Sequence, residues 1–138
     1  MQSYERLHLA FRTFGRKAAA ELSTFTDGNV SGSQLFILDL LVDNGPLKIS
    51  DLATHLKVTL SAITNLSDKL VKSKHIVRER CDDDRRVVRL VVTPKGKELV
   101  EKLRETQNSR IKELHKGLTE EEIETLISIY NKLSNSFD

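Results

Sequence analysis

Ser50-Asp51-Leu52-Ala53-Thr54-His55-Leu56-Lys57-Val58-Thr59-Leu60-Ser61-Ala62-Ile63-Thr64-Asn65-Leu66-Ser67-Asp68-Lys69-Leu70 is the stretch on which the fold turns. Ser50 is expected to cap a short helix over 51–56. The tight connection Lys57-Val58-Thr59 then leads to a longer helix over about 60–74. Ala53 is small where a helix crossing needs close approach, Val58 is apolar in the turn, and Ile63 and Leu66 anchor the second helix. A small residue, a turn and two apolar anchors form the pattern of a helix-turn-helix. The second helix of such a motif enters the DNA major groove with its N-terminal residues first. An ordinary αα-hairpin is the plainer alternative. Lys57 stands where many such turns carry glycine, and a positive φ there costs a lysine about 1 kcal/mol.

On the longer helix Ile63, Leu66 and Leu70 form the inward stripe, which leaves Ser61, Thr64, Asn65, Asp68, Lys69 and Lys72 outside. Propensity alone fills a water-facing helix with Glu, Lys, Ala and Arg. Here the first two turns expose short hydrogen-bonding side chains. Ser61, Thr64, Asn65 and Lys69, together with Ser50 and Thr59, are the expected contacts to DNA from the two helices.

Working outward, 76–80 and 88–92 alternate apolar and polar residues around Cys81-Asp82-Asp83-Asp84-Arg85-Arg86, which predicts a β-hairpin with a charged tip. A solvated turn is one reading of that tip. The other is a wing whose arginines, Arg85 and Arg86, reach a narrow minor groove, where the potential is most negative. The acids then hold the arginine in position and limit non-specific binding.

Before the helix pair, Tyr4, Leu7, Phe11, Phe14, Ala18, Leu22 and Phe25 make one stripe on a first helix starting near Ser3, and Thr26–Asn29 reads as a loop. Ser31 with Gln34 forms a capping box for a second, strongly apolar helix that Asp43-Asn44-Gly45-Pro46 stops. Leu47-Lys48-Ile49 fits one short strand or a turn. After the hairpin, Thr93-Pro94 starts a fifth helix that runs to about Lys116, with Gly117 ending it. Thr119 with Glu122 caps a last helix carrying Ile123, Leu126, Ile127, Tyr130, Leu133 and Phe137. The fold class is therefore mainly α with a small β-hairpin.

The chain has 138 residues and a net charge of +2. Residues 57–97 hold 11 Lys/Arg against 5 Asp/Glu, between mildly acidic flanks. A basic centre suits an anion-binding surface, although a solvated face has the same composition. The charged N-terminus lacks a signal-peptide core and no apolar stretch approaches roughly 20 residues, so a cytoplasmic protein without a membrane partner is expected. One cysteine and four scattered histidines offer no disulfide, metal site or cofactor site. No phosphate loop, paired catalytic carboxylates or nucleophile–base motif is present, which argues against an enzyme. A winged helix used only for protein contacts would need an apolar recognition surface. Thiol-based sensing through Cys81 is a further alternative, although that cysteine lacks an evident activating site.

The run from Leu52-Ala53 through Ile63-Thr64, Leu66, Asp68-Lys69-Leu70, Ile76, Arg78, Asp84-Arg85-Arg86 and Leu90 to Thr93-Pro94-Lys95-Gly96 resembles the MarR family of bacterial transcription regulators. Two positions depart from the family pattern: Lys74 replaces a common glycine and Cys81 a common aspartate. The resemblance implies one winged-helix domain over 1–138, with a DNA-binding lobe at about 31–93 and dimerisation helices at about 3–25 and 94–138. It implies a homodimeric repressor on pseudo-palindromic double-stranded DNA, released by a small phenolic or lipophilic anion. The exposed apolar stripes at the two ends of the chain independently favour a dimer. The interface residues are then Tyr4, Leu7, Phe11, Ile123, Leu126, Ile127, Tyr130 and Leu133. The ligand-binding candidates are His8, Phe11, Arg12 and Phe36, with Phe14 beside them.

Overall fold

A computed structural model describes residues 2–22 and 30–137. Phe25 and the expected loop at 26–29 lie outside the described residues. The elements are α1 (Ser3–Leu22), α2 (Gly32–Asn44), β1 (Leu47–Lys48), α3 (Ile49–Leu56), α4 (Leu60–Lys72), β2 (Ile76–Arg80), β3 (Val88–Val92), α5 (Pro94–Leu114) and α6 (Glu120–Asn135). The order matches the winged helix-turn-helix expected from the sequence. The three strands form one antiparallel sheet in the order β1-β3-β2. The hairpin thus gains a third strand, because Leu47 and Lys48 pair with Leu90 and Arg89.

Both expected capping boxes are present. The Ser31 amide donates to Gln34 Oε1 at 2.7 Å and Ser31 Oγ accepts from the Gln34 amide at 3.3 Å. The Thr119 amide donates to Glu122 Oε1 at 3.0 Å, with Thr119 Oγ1 accepting in return from the Glu122 amide. Ser50, by contrast, is not the cap of α3. The helix starts two residues earlier, at Ile49 with Lys48 as its cap, because the Asp51 carboxylate reaches back to the Lys48 amide at 3.4 Å. The fifth helix stops at Leu114 and a turn follows at 115–117, three residues before the expected glycine stop. The fourth helix ends at Lys72, and Lys74 beyond it adopts a left-handed φ of 66°. Lys57, between α3 and α4, is also left-handed, at φ 54° and ψ 45°.

The chain divides into two compact units, residues 23–105 and residues 1–22 with 106–138. The division falls inside α5 rather than at its start, because Gly96, Leu99, Val100 and Leu103 of that helix are buried in the core of the central unit. Ile37, Leu38 and Leu41 of α2, Leu52 of α3, Ile63 and Leu70 of α4, Ile76 of β2 and Leu90 of β3 complete that core. Arg104 fastens α5 to α2: its guanidinium donates to Asp39 Oδ1 at 2.8 and 3.0 Å and to Asp43 Oδ1 at 2.7 Å. In the other unit no described residue of α1 or α6 is buried. Among the described residues no helix is long and apolar enough to cross a membrane.

The Thr93-Pro94-Lys95-Gly96 stretch locks the root of the hairpin. Thr93 Oγ1 donates toward the carbonyls of Lys74 (2.7 Å) and His75 (3.0 Å) and accepts from the Gly96 amide at 3.2 Å. Lys95 Nζ donates to the Ser73 carbonyl at 2.8 Å, closing the C-terminus of α4. A Cβ at Gly96 would stand 2.3 Å from the His75 carbonyl oxygen and 2.7 Å from a Val92 methyl. Backbone cannot yield as a flexible side chain does, so Gly96→Ala forces α5 off the hairpin root. The expected cost is about 1–3 kcal/mol, read as a lower urea midpoint. An unchanged midpoint would show that the contact is not tight.

Candidate nucleic-acid interface

The amphipathic period of α4 decides which of its residues face outward. Ile63, Ser67 and Leu70 are fully buried, so Ser61, Thr64, Asn65 and Lys69 are exposed on the opposite side. Ser61, Asn65 and Lys69 stand four residues apart and form one row. The Asn65 amide has no partner among the described residues. Its adjacent donor and acceptor are the pair that matches an adenine edge in the major groove. Thr59 caps the helix: its Oγ1 accepts from the Ala62 amide at 3.1 Å, which leaves the hydroxyl hydrogen to donate. Thr64 donates its hydroxyl hydrogen to the Leu60 carbonyl at 2.9 Å. Ser50 is exposed in the first turn of α3, where its carbonyl accepts from Thr54 Oγ1 at 3.0 Å.

Charge at the start of α4 suits a polyanion. A helix N-terminus carries partial positive charge and ordinarily attracts acidic side chains to its first turn. The first turns of α1, α3 and α6 carry acids, whereas those of α2, α4 and α5 carry none, so no first-turn carboxylate competes for an anion at the start of α4.

The hairpin is ordered by its own ion pairs. Asp68 on the flank of α4 is salt-bridged to Arg78 of β2, which ties the reading helix to the hairpin. At the tip, Asp84 grips Arg86 three times. Its Oδ1 accepts from the Arg86 amide (3.0 Å) and Nε (3.1 Å), and its Oδ2 accepts from Nη2 (3.1 Å). The Arg86 side chain is still 91% exposed, so its charge is aimed without being hidden. Arg80 Nη1 donates to the Arg85 carbonyl at 2.7 Å and stiffens the turn from beneath. Arg85, Asp82 and Asp83 are exposed, and Cys81 is partly exposed with its amide donating to the Val87 carbonyl at 2.9 Å.

The structure places all eight sequence-predicted DNA contacts in the central unit, on α3, α4 and the hairpin tip. It adds Asp68 and Arg78, whose pairing sequence reasoning missed. Both stand out in the sequence, but ten residues of chain separate them. The remaining candidates are spread more widely. His8 and Arg12 share a shallow hollow on α1 with Glu5 and Leu9. Phe11, on the same helix, is exposed, and Phe36 is exposed on α2 of the central unit. Ile123, Leu126, Ile127 and Tyr130 line an apolar groove of about 860 Å³ with Phe14, Ile111 and neighbours. Tyr4, Leu7, Phe11 and Leu133 are exposed outside it. Phe14 meets the His115 ring edge-on, with centroids 5.6 Å apart.

Comparison with known proteins bears on this geometry. Residues 30–88 match the MarR family. The chain is 31% identical over 113 residues to the uncharacterized HTH-type transcriptional regulator YpoP of Bacillus subtilis, covering 82% of this chain and 80% of YpoP. It is 30% identical over 131 residues to the HTH-type transcriptional repressor MdtR of the same organism, covering 94% of this chain and 84% of MdtR. Among solved structures it shares its fold with Streptococcus pneumoniae FabT in complex with DNA. That likeness has a TM-score of 0.81 at 22% identity, over 98% of this chain and 97% of FabT.

The clamp at the hairpin tip has a titration signature. Hydrogen bonds from the Arg86 side chain, then from its backbone, hold the Asp84 carboxyl below the usual carboxylate range, and Lys48 acts in the same direction. A lowered native pKa means that the clamp is intact above the ordinary carboxylate value and is lost as pH falls through the native one. Carboxyl-carbon NMR should show Asp84 titrating below the ordinary aspartate value. In Arg86→Ala that difference should vanish. A titration midpoint for Asp84 that is the same in both proteins would mean that the clamp does not persist in solution.

Proposed function

The chain belongs to the MarR family of DNA-binding transcriptional regulators, and from that premise we propose that it is a homodimeric repressor reading a pseudo-palindromic site in double-stranded DNA. The observation that carries the reading is the exposed row Ser61, Asn65 and Lys69 on a helix ion-paired to a hairpin whose tip presents a clamped arginine. In this proposal α4 lies in the major groove and reads bases, with Asn65 on adenine. Arg86 enters the adjoining minor groove and reads its width. Ser50, Thr59, Thr64 and Arg85 contribute backbone or base contacts. A winged helix specialised for protein contacts is less well supported, because the outward side of α4 is polar.

The dimer is supported by what the terminal unit lacks. Its helices α1 and α6 bury no described residue, while Tyr4, Leu7, Phe11, Tyr130 and Leu133 stay exposed. Apolar surface on that scale marks an interaction site. A two-fold pairing of α1, α6 and the second half of α5 covers it and supplies two reading heads. The repressor assignment is supported by the similarity to MdtR, which is named a repressor. Release by a small lipophilic anion fits the exposed cation and ring that Arg12 and Phe11 present on α1.

Binding to labelled duplex should weaken steeply with salt, since each phosphate contact releases counterions and adds about −0.9 to the slope of log K against log salt. A flat response would overturn the DNA reading. Asn65→Ala should relax base preference at one position of each half-site. Arg86→Ala should weaken binding to many sequences by about 1–3 kcal/mol per contact. Both should keep the wild-type melting curve. Equal affinity of Arg86→Ala for every sequence would reduce the wing to a turn.

Sedimentation should give twice the chain mass at micromolar concentration. Leu126→Glu combined with Tyr130→Glu should yield a monomer with weakened binding to a two-half-site duplex. A wild-type monomer that binds one half-site tightly would rule out the dimer.

A further inference from the structure

Leu60 is the first residue of α4 and is 57% exposed. The core takes Ile63, Ser67 and Leu70 from this helix and leaves Leu60 out. Its neighbour Val58 is also exposed, but it precedes the Thr59 cap and stands in the position of a hydrophobic staple toward Ile63. Leu60 has no such role. Thr64, one turn on, returns its hydroxyl hydrogen to the Leu60 carbonyl, so that donor is spent inside the helix. Leu60, with only an acceptor left on Thr64 beside it, therefore forms an apolar edge next to the polar row Ser61, Asn65 and Lys69. The edge lies at the N-terminal end of the helix, the end that goes deepest into a major groove. The base edges in that groove offer one large apolar group, the 5-methyl of thymine.

Resting on the DNA reading above, we propose that Leu60 is a specificity-determining residue that packs on the 5-methyl group of one thymine in each half-site. Selection of thymine there then comes from burying a methyl rather than from a hydrogen bond. A cytosine at that position lacks the methyl group, and a purine presents its own bulk and polar edge in its place. The site so read combines one apolar contact from Leu60 with polar contacts from the row beside it.

The test uses the full chain and deoxyuridine, which pairs as thymine does and lacks only the methyl. A binding selection from a random duplex pool first gives the preferred site. Each thymine of one half-site is then replaced in turn by deoxyuridine. One replacement should weaken wild-type binding about fourfold, the equivalent of one methyl-sized group returned to water. Leu60→Ser, which loses the contact in both half-sites, should bind the thymine duplex about sixteenfold more weakly and show no further loss on that deoxyuridine duplex. Circular dichroism should confirm an unchanged fold for the variant. Wild-type indifference to every replacement overturns the assignment, and so does a Leu60→Ser protein that keeps the full deoxyuridine penalty. Both results leave the DNA reading standing. Failure to select any duplex overturns that reading and the role of Leu60 together.

Discussion

The rest of the central unit depends on the absence of a side chain at Gly96. The first turn of α5 rests directly on the His75 carbonyl, at a separation that no Cβ would permit. That approach brings Thr93 within reach of two carbonyls at the end of the α4–β2 connection and Lys95 within reach of a third. The end of the reading helix, the root of the hairpin and the start of α5 are thereby one joint. Leu99, Val100 and Leu103 follow in register into the core, and Arg104 reaches the α2 carboxylates only because the helix is seated there. A methyl group at one position would disturb all of these contacts, since packed interiors do not absorb a volume change locally.

From that joint outward, the reading surface is built before any partner arrives. Asp68 and Arg78 fix the hairpin against the flank of α4, and Asp84 holds Arg86 by side chain and backbone together. Both pairs are partly exposed, and exposed ion pairs add little to stability. Their value lies in geometry. An arginine already held in one arrangement loses less conformational freedom on binding than a free one, and pre-organisation of this kind improves affinity by lowering the ordering cost. The acids around it also repel phosphates that approach from the wrong side, which favours the intended groove over general adhesion.

Local signals that close within one turn translated directly into structure where one residue alone could fill the role, and non-local pairings did not. Ser31 with Gln34 and Thr119 with Glu122 close their rings within three residues, so their spacing alone identifies them. The outward row on α4 was legible for a similar reason, because helical period separates it from Ile63 and Leu70. The start of α3 was misread because Ser50 and Asp51 both suit a helix N-terminus, and the carboxylate at the third position prevailed. Leu47 and Lys48 needed β3 as a partner before they could be a strand, and that partner lies more than forty residues away. The pairing of Asp68 with Arg78 likewise exists only once the hairpin has folded back. Leu60 was missed because a leucine opening an amphipathic helix looks like core in sequence, and only its exposure separates it from Ile63.

Lys57 and Lys74 stand just beyond the two ends of α4, and each adopts a backbone conformation that favours glycine. Each costs roughly 1 kcal/mol relative to a glycine in the same place. The reading helix is held firmly along its buried side and at its C-terminal joint, and carries backbone strain at the turn before its N-terminus. Amide hydrogen exchange follows the free energy of local opening rather than the stability of the whole domain. At Lys74 the strained turn is held by the Thr93 and Lys95 hydrogen bonds, so the turn at Lys57 is the end from which local opening of α4 should start. A helix that loosens from its N-terminal end alone can adjust its first turn to the groove it enters, without disturbing the joint and core that carry it.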